Sequence, residues 1–207
     1  MTSNENSLPT RRVVSARKIT YAGALLALSV ILPQIVHFTG IPDSGKVLLP
    51  MHIPVLLAGF LLGPVYGLVI GGLAPLLSFL VSGMPAAARL PFMIVELAVY
   101  GLVAGLLYLT FGLVRVRLGT VITLIGAMLA GRAFYGIALI VAASLFGIQA
   151  GGPEAVIAAT VSGVIGIAIQ LLVIPPIIYA LKKGGQLDAI HGRRFTPATV
   201  ADKVDPT

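Results

Sequence analysis

Blocks of apolar residues, separated by short polar segments, cover the chain from about residue 16 to residue 181. A helix that crosses a bilayer needs about 20 apolar residues. The blocks predict six spans, over approximately residues 16–38, 49–62, 66–81, 91–114, 118–146 and 154–181. The second and third blocks are short for a bilayer, so we expect them to pack inside the protein or in thinned lipid.

Residues 48–91 hold almost no charge and are rich in glycine and proline. Four glycines recur at every fourth residue, at Gly59, Gly63, Gly67 and Gly71. Glycine on a helix face in lipid lets a neighbouring backbone approach closely, and prolines interrupt helices. This stretch therefore predicts two short, closely packed membrane helices whose outer ends frame a polar pocket.

The composition agrees with a membrane protein. Of the 207 residues, 57% are hydrophobic and 10% are charged, and the mean hydropathy is +1.03. These values are typical of a polytopic helical membrane protein rather than a soluble domain. We expect a disordered cytoplasmic N-terminus over residues 1–14, one membrane domain over residues 15–183, and a cytoplasmic polar tail over residues 184–207. The absence of cysteine excludes disulfides and thiolate chemistry.

The positions of the basic residues predict the topology. Eleven of the 14 Lys and Arg residues lie in three clusters: the N-terminal flank, Arg115 with Arg117, and the tail from Lys182. Basic residues are enriched in cytoplasmic loops, and six spans place all three clusters on that side. We therefore predict an all-α integral membrane protein with six transmembrane helices and cytoplasmic N- and C-termini. Because the +7 net charge lies mainly at the ends, we expect no nucleic-acid role.

Ionisable residues inside the predicted spans are the main candidates for function, because burying a charge in a membrane is costly. Helical rise places Glu96 roughly 7–8 Å below the outer rim and Arg132 about 21 Å above the inner rim of a core about 30 Å thick. The two residues thus lie at similar depth, where they could contact a ligand or form a structural pair. His52 and His37 lie near the same rim; His52 also suits a helix cap, and His37 an interfacial position.

Three more residues are candidates for the same pocket. Tyr100 lies one helical turn beyond Glu96 on the same face, which suits either core packing or stacking on a substrate ring. Arg89 and Lys46 lie in the two predicted outer loops, where basic residues are otherwise rare. Both are also compatible with ordinary solvated surface positions.

Motifs for catalysis and energy coupling are missing from the sequence. There is no Gly-x-x-x-x-Gly-Lys-Ser/Thr loop for nucleotide hydrolysis, no cluster with metal-ligand spacing, and no nucleophile paired with a base. We therefore expect no enzymatic activity, no cofactor and no metal. A chain with one outward polar pocket and no energy-coupling machinery is typical of a binding subunit that works with a separate motor.

The sequence resembles the substrate-binding (S) components of energy-coupling factor (ECF) transporters, which take up vitamins in prokaryotes. The resemblance rests on the length, the basic ends and three motifs: the Leu-Pro-Met-His-Ile-Pro segment with the glycine-spaced run to Gly63-Pro64, the Ser82-Gly-Met-Pro85 loop, and the run from Glu96 to Gly101. It implies a multi-pass protein of the plasma membrane. It also implies a vitamin site near the outer face, under residues 39–47 and beside residues 82–90, with a transmembrane T subunit and two ATPases as partners.

Small residues in the first span are implied, by the same resemblance, to dock the T subunit. Here the pattern is Gly23-x-x-x-Ala27, which could also pack the protein's own spans together. The identity of the vitamin stays open. The three basic residues Arg89, Arg132 and Lys46 would suit a carboxylate, as in a pantothenate- or folate-like compound, whereas Glu96 would suit an amine or a pyrimidine.

Two other classes of protein are compatible with parts of this pattern. A structural membrane protein of the cell-shape-determining MreD type would need no ligand pocket, and Glu96 and Arg132 would then be an inert pair. A self-sufficient secondary transporter is disfavoured by the lack of an internal repeat and by the single buried carboxylate, Glu96, in the interior of the spans.

Overall fold

The computed structural model describes residues 9–38, 47–146 and 153–191, and all regular structure in these segments is helical. A π-helical turn, Leu106–Thr110, directly extends the fourth helix. The α-helices, numbered here in chain order, are α1 Pro9–His37, α2 His52–Leu62, α3 Pro64–Ser82, α4 Leu90–Gly105, α5 Gly119–Phe146, α6 Pro153–Ser162, α7 Val164–Lys183 and α8 Gln186–His191.

Helix α2 forms the centre of the bundle. It has 11 residues, and all of them except Ile53 are buried. It packs against α1, α3, α4 and α7. A helix that is apolar on all sides is stable only when other protein segments or lipid surround it. The second predicted span is therefore short because it is enclosed by its neighbours, as one of the sequence-based alternatives proposed.

Five described helical segments are long and apolar enough to cross a membrane: Ala16–Val36, Pro64–Ser82, Leu90–Thr110, Gly119–Ser144 and Val164–Lys183. The protein is thus a multi-pass helical membrane protein. The expectation that the third span is short was wrong, because α3 has 19 residues and continues through Pro75. Proline is tolerated inside membrane helices where neighbouring groups satisfy the freed backbone.

The ends of the predicted spans differ from the structure in three places. The helix predicted over residues 154–181 is broken at Gly163 into α6 and α7, and glycine is a poor helix former. The regular α-helix of the fourth span ends at Gly105 rather than near residue 114. Helix α1 begins at Pro9, within the segment expected to be a disordered terminus.

Glycines allow α3 to lie directly against α4. A Cβ atom on Gly67 would lie 2.2 Å from the carbonyl oxygen of Gly101, and one on Gly71 would lie 2.2 Å from that of Leu97. Such distances leave no room for any side chain. Gly59 of α2 meets the same part of α4, where a Cβ atom would lie 2.4 Å from the Gly101 oxygen. The glycine repeat therefore allows the close backbone approach that its spacing predicted, and the approach is of both α2 and α3 to α4 rather than only between the two predicted short helices.

Polar contacts mark the two ends of the bundle. At the end that we call the upper end, Gln34 Nε2 donates a hydrogen bond to Ser82 Oγ at 2.7 Å. At the opposite, lower end, Lys182 Nζ donates to the carbonyl oxygen of Val114 at 2.5 Å. Helix α8 also lies at the lower end, where His191 Nε2 is 2.7 Å from the carbonyl oxygen of Leu61.

Candidate functional site

An ion pair inside the bundle joins α4 to α5. Arg132 Nη1 lies 2.9 Å from Glu96 Oε1, and the side chains are 12% and 6% exposed. The hydroxyl of Tyr100 donates a hydrogen bond to the same carboxylate oxygen at 3.2 Å. The tyrosine is one turn beyond the glutamate on α4, and its ring packs against the backbone of Gly131, next to the arginine. The similar membrane depths that helical rise gave for Glu96 and Arg132 therefore agree with the direct contact between them.

His52 lies beside this ion pair, at the start of α2. Its ring meets that of Tyr100 edge to face, with 5.2 Å between the centroids. The residue is 2% exposed, and neither ring nitrogen has a hydrogen-bond partner. It does not cap α2, because the N-terminus of that helix has no side-chain cap. The capping alternative from the sequence is thus wrong, and His52 brings an unsatisfied imidazole to the site.

The guanidinium of Arg132 is only partly satisfied by Glu96. Its Nε and Nη2 atoms are buried and have no hydrogen-bond partner among the described residues. Leaving a buried donor unpaired costs about 1–3 kcal/mol, and more for a charged group. A purely structural ion pair would account for Nη1 but not for these two atoms. The guanidinium therefore keeps two buried donors that no described residue satisfies.

Gln170 of α7 is a buried polar residue that the sequence reasoning missed. It is 1% exposed, and its Nε2 atom has no partner. Its level in the bundle follows from Gly166, where a Cβ atom would lie 2.8 Å from the carbonyl oxygen of Val47. Gln170 is one helical turn below that contact on α7, and His52 follows Val47 by five residues, at the start of α2. A lone amide side chain in an otherwise apolar span was the signal available in the sequence.

Of the other predicted site residues, the structure describes the side chain of Arg89 alone, and it lies outside the buried layer. Arg89 is exposed at the upper end, immediately before α4. It lies one turn before Phe92, whose ring meets that of Tyr135 at a centroid distance of 6.4 Å. His37 is the last residue of α1, but its side chain is outside the described structure, as is Lys46 altogether. Their roles stay predictions.

The predicted docking residues Gly23 and Ala27 are both exposed on α1. A Cβ atom on Gly23 would meet nothing within 4 Å. These small residues therefore do not pack against the described helices of their own chain, which removes the alternative that they serve internal packing.

A cavity of about 370 Å³ lies at the lower end of the bundle, away from the polar layer. It is lined by Lys18, Leu62, Gly63, Pro64, Leu109, Thr110 and His191. Within the described residues, no group of three His, Asp or Glu side chains could hold a metal ion. The layer around Arg132 offers hydrogen-bond donors beside a paired charge.

The fold and the layer together define a class of protein: a multi-pass helical membrane protein with buried polar side chains, some of which have no hydrogen-bond partner among the described residues. The model of the family described as ECF transporter, substrate-specific component, matches residues 17–178. The chain belongs to that family, and it is a substrate-specific subunit of a transporter. Proteins of this family bind and transport their substrates rather than act as enzymes. Comparisons with curated proteins and with solved structures gave no match.

Proposed function

We propose that the protein is the high-affinity binding subunit of an ECF-type importer for a vitamin or related micronutrient, in the plasma membrane of a prokaryote. The substrate binds in the polar layer formed by His52, Glu96, Tyr100, Arg132 and Gln170. The observation that carries this proposal is the buried edge of Arg132, whose two donors have no partner. A structural protein of the MreD type would gain nothing from that arrangement.

The basic residues support an orientation with the upper end outside the cell and six membrane crossings, of which α2 is the short one. Lys182, which contacts Val114, marks the lower end, and Arg115 and Arg117 follow Val114 in the chain. Because basic residues are enriched on the cytoplasmic side, the lower end faces the cytoplasm, as do both termini. The polar layer then lies in the outer half of the membrane, where a substrate from outside arrives first.

The partners in this proposal are a transmembrane T subunit and two ATPases, as is general for the family. Gly23 and Ala27 supply the docking surface, since their side of α1 is exposed and unoccupied. Small residues let two membrane helices approach closely without a hydrophobic driving force.

Replacing Ala27 with leucine should abolish vitamin uptake while leaving substrate affinity unchanged, because the added side chain blocks the partner helix and lies on the exposed side of α1 rather than inside the bundle. Uptake is measured in cells that also express the T subunit and the ATPases, and affinity on the purified subunit. Ala168→Leu on the exposed side of α7 is the matched control, and it should retain uptake. Normal uptake by the Ala27 variant would show that this surface does not dock the T subunit.

A further inference from the structure

The unsatisfied part of Arg132 has a defined shape. A guanidinium presents its five N–H donors in a fixed planar fork. Nη1 is occupied by Glu96, while Nε and Nη2, which form the side edge of the fork, are buried without partners. The N–H bonds on that edge point in parallel. Two parallel donors at this spacing match the two oxygens of a carboxylate, which bind such an edge in a bidentate manner.

The remaining polar atoms of the layer also favour an acceptor-rich ligand. Gln170 Nε2, a donor, is unpaired, and so are the ring nitrogens of His52. The carboxylate of Glu96 already accepts from Arg132 and Tyr100, and neither of its oxygens is among the described buried atoms that lack a partner. Both contacts fall on Oε1, so an amine on the substrate would compete with them at that oxygen. An acceptor on the substrate would meet donors that have no other partner.

We infer that the substrate carries a carboxylate, which binds side-on to Nε and Nη2 of Arg132, and that Gln170 donates a second hydrogen bond to an acceptor elsewhere on the same molecule. The inference rests on the proposed function, since it names the substrate class of that site. It adds Gln170 as a binding residue and assigns Glu96 to holding the guanidinium in place rather than to contacting the ligand.

The substrate class is tested by calorimetric titration of the purified, intact protein with two sets of vitamins. One set pairs acids with neutral counterparts: pantothenate with pantothenol, biotin with its methyl ester, and nicotinate with nicotinamide. The other set, thiamin, riboflavin and pyridoxine, has no carboxylate. We expect the tightest ligand to be an acid and its neutral counterpart to bind about a hundredfold more weakly.

The outcomes separate this inference from the proposed function. Tight binding of a vitamin without a carboxylate, or equal affinity for an acid and its neutral counterpart, would overturn the carboxylate assignment and leave the function intact. If folded protein bound none of the vitamins, both the inference and the proposed function would be contradicted.

The role of Gln170 is tested with Gln170→Leu, a change of similar volume that removes the amide. We expect affinity for the tightest ligand to fall about tenfold, the effect of one lost hydrogen bond. The melting temperature of the ligand-free protein should stay the same or rise, because an unpaired buried donor is removed. A merely structural glutamine would give the opposite pattern, a lower melting temperature and unchanged affinity, and that result would remove Gln170 from the site.

Thr123→Val is the matched control for that variant. Thr123 is also fully buried with an unpaired side-chain atom, but it lies nine residues before Arg132 on the same helix, about 13–14 Å nearer the lower end. We expect this variant to keep the wild-type affinity. A loss equal to that of Gln170→Leu would mean that the binding defect is indirect, and the assignment of Gln170 would fail.

Discussion

Replacing Arg132 with alanine is expected to weaken substrate binding by at least about a hundredfold and to lower the free energy of unfolding by about 3–5 kcal/mol. The binding loss follows from removing the buried donors that the substrate meets. The stability loss follows because the Glu96 side chain, which is 6% exposed, would stay buried without the arginine that pairs with it. Titration calorimetry and thermal unfolding of the purified protein measure the two effects.

A double variant separates the two roles of the ion pair. Glu96→Gln combined with Arg132→Met removes both charges and retains an acceptor for the hydroxyl of Tyr100. Replacing a buried ion pair with uncharged groups of similar volume is often neutral for stability, so most of the lost stability should return. Binding should not return. If the double variant bound substrate normally, the pair would be structural only. Arg117→Ala, an exposed change near the lower end, should affect neither quantity.

The second large effect is a difference in stability between alanine variants of two adjacent glycines of α3. Gly71→Ala should destabilise the protein by about 3 kcal/mol, because its Cβ atom would lie 2.2 Å from the backbone oxygen of Leu97 and would force α3 away from α4. Gly72→Ala should be neutral or stabilise by up to about 1 kcal/mol, because alanine is the better helix former and its Cβ atom would meet nothing within 4 Å.

Thermal unfolding of the two variants in the same detergent measures this difference, and the neighbouring position serves as the control. Equal melting temperatures would contradict the close packing of α3 on α4. The displacement also has a consequence for the site, because α4 carries Glu96 and Tyr100. We therefore expect Gly71→Ala to weaken substrate binding as well, whereas Gly72→Ala should bind normally.

Much of the helical organisation could be predicted from the sequence, because long apolar blocks and glycine spacing are local features. The break at Gly163 could not. Both Pro75 and Gly163 disfavour a regular helix, and the predicted spans ran through both; α3 does continue through Pro75, but the last predicted span is broken at Gly163. Which breaker ends a helix depends on the packing and hydrogen bonding around it, and these are properties of the folded protein.

The charged part of the site could also be predicted, because a charge in an apolar span is conspicuous and helical rise gives its depth. Glu96 and Arg132 proved to be in contact. Gln170 escaped notice because a neutral amide carries no charge and forms no recognisable motif. Its importance became visible only when burial and the absence of a partner for Nε2 were known. The ligand roles of these residues stay predictions.

Native mass spectrometry of the protein purified from cells grown in rich medium shows whether the polar layer holds a small molecule. We expect one vitamin-sized molecule bound per chain in the wild-type protein. We expect none in the Glu96→Gln, Arg132→Met double variant purified in parallel. A wild-type protein that is folded, carries no small molecule and binds no vitamin added afterwards would contradict the proposed function.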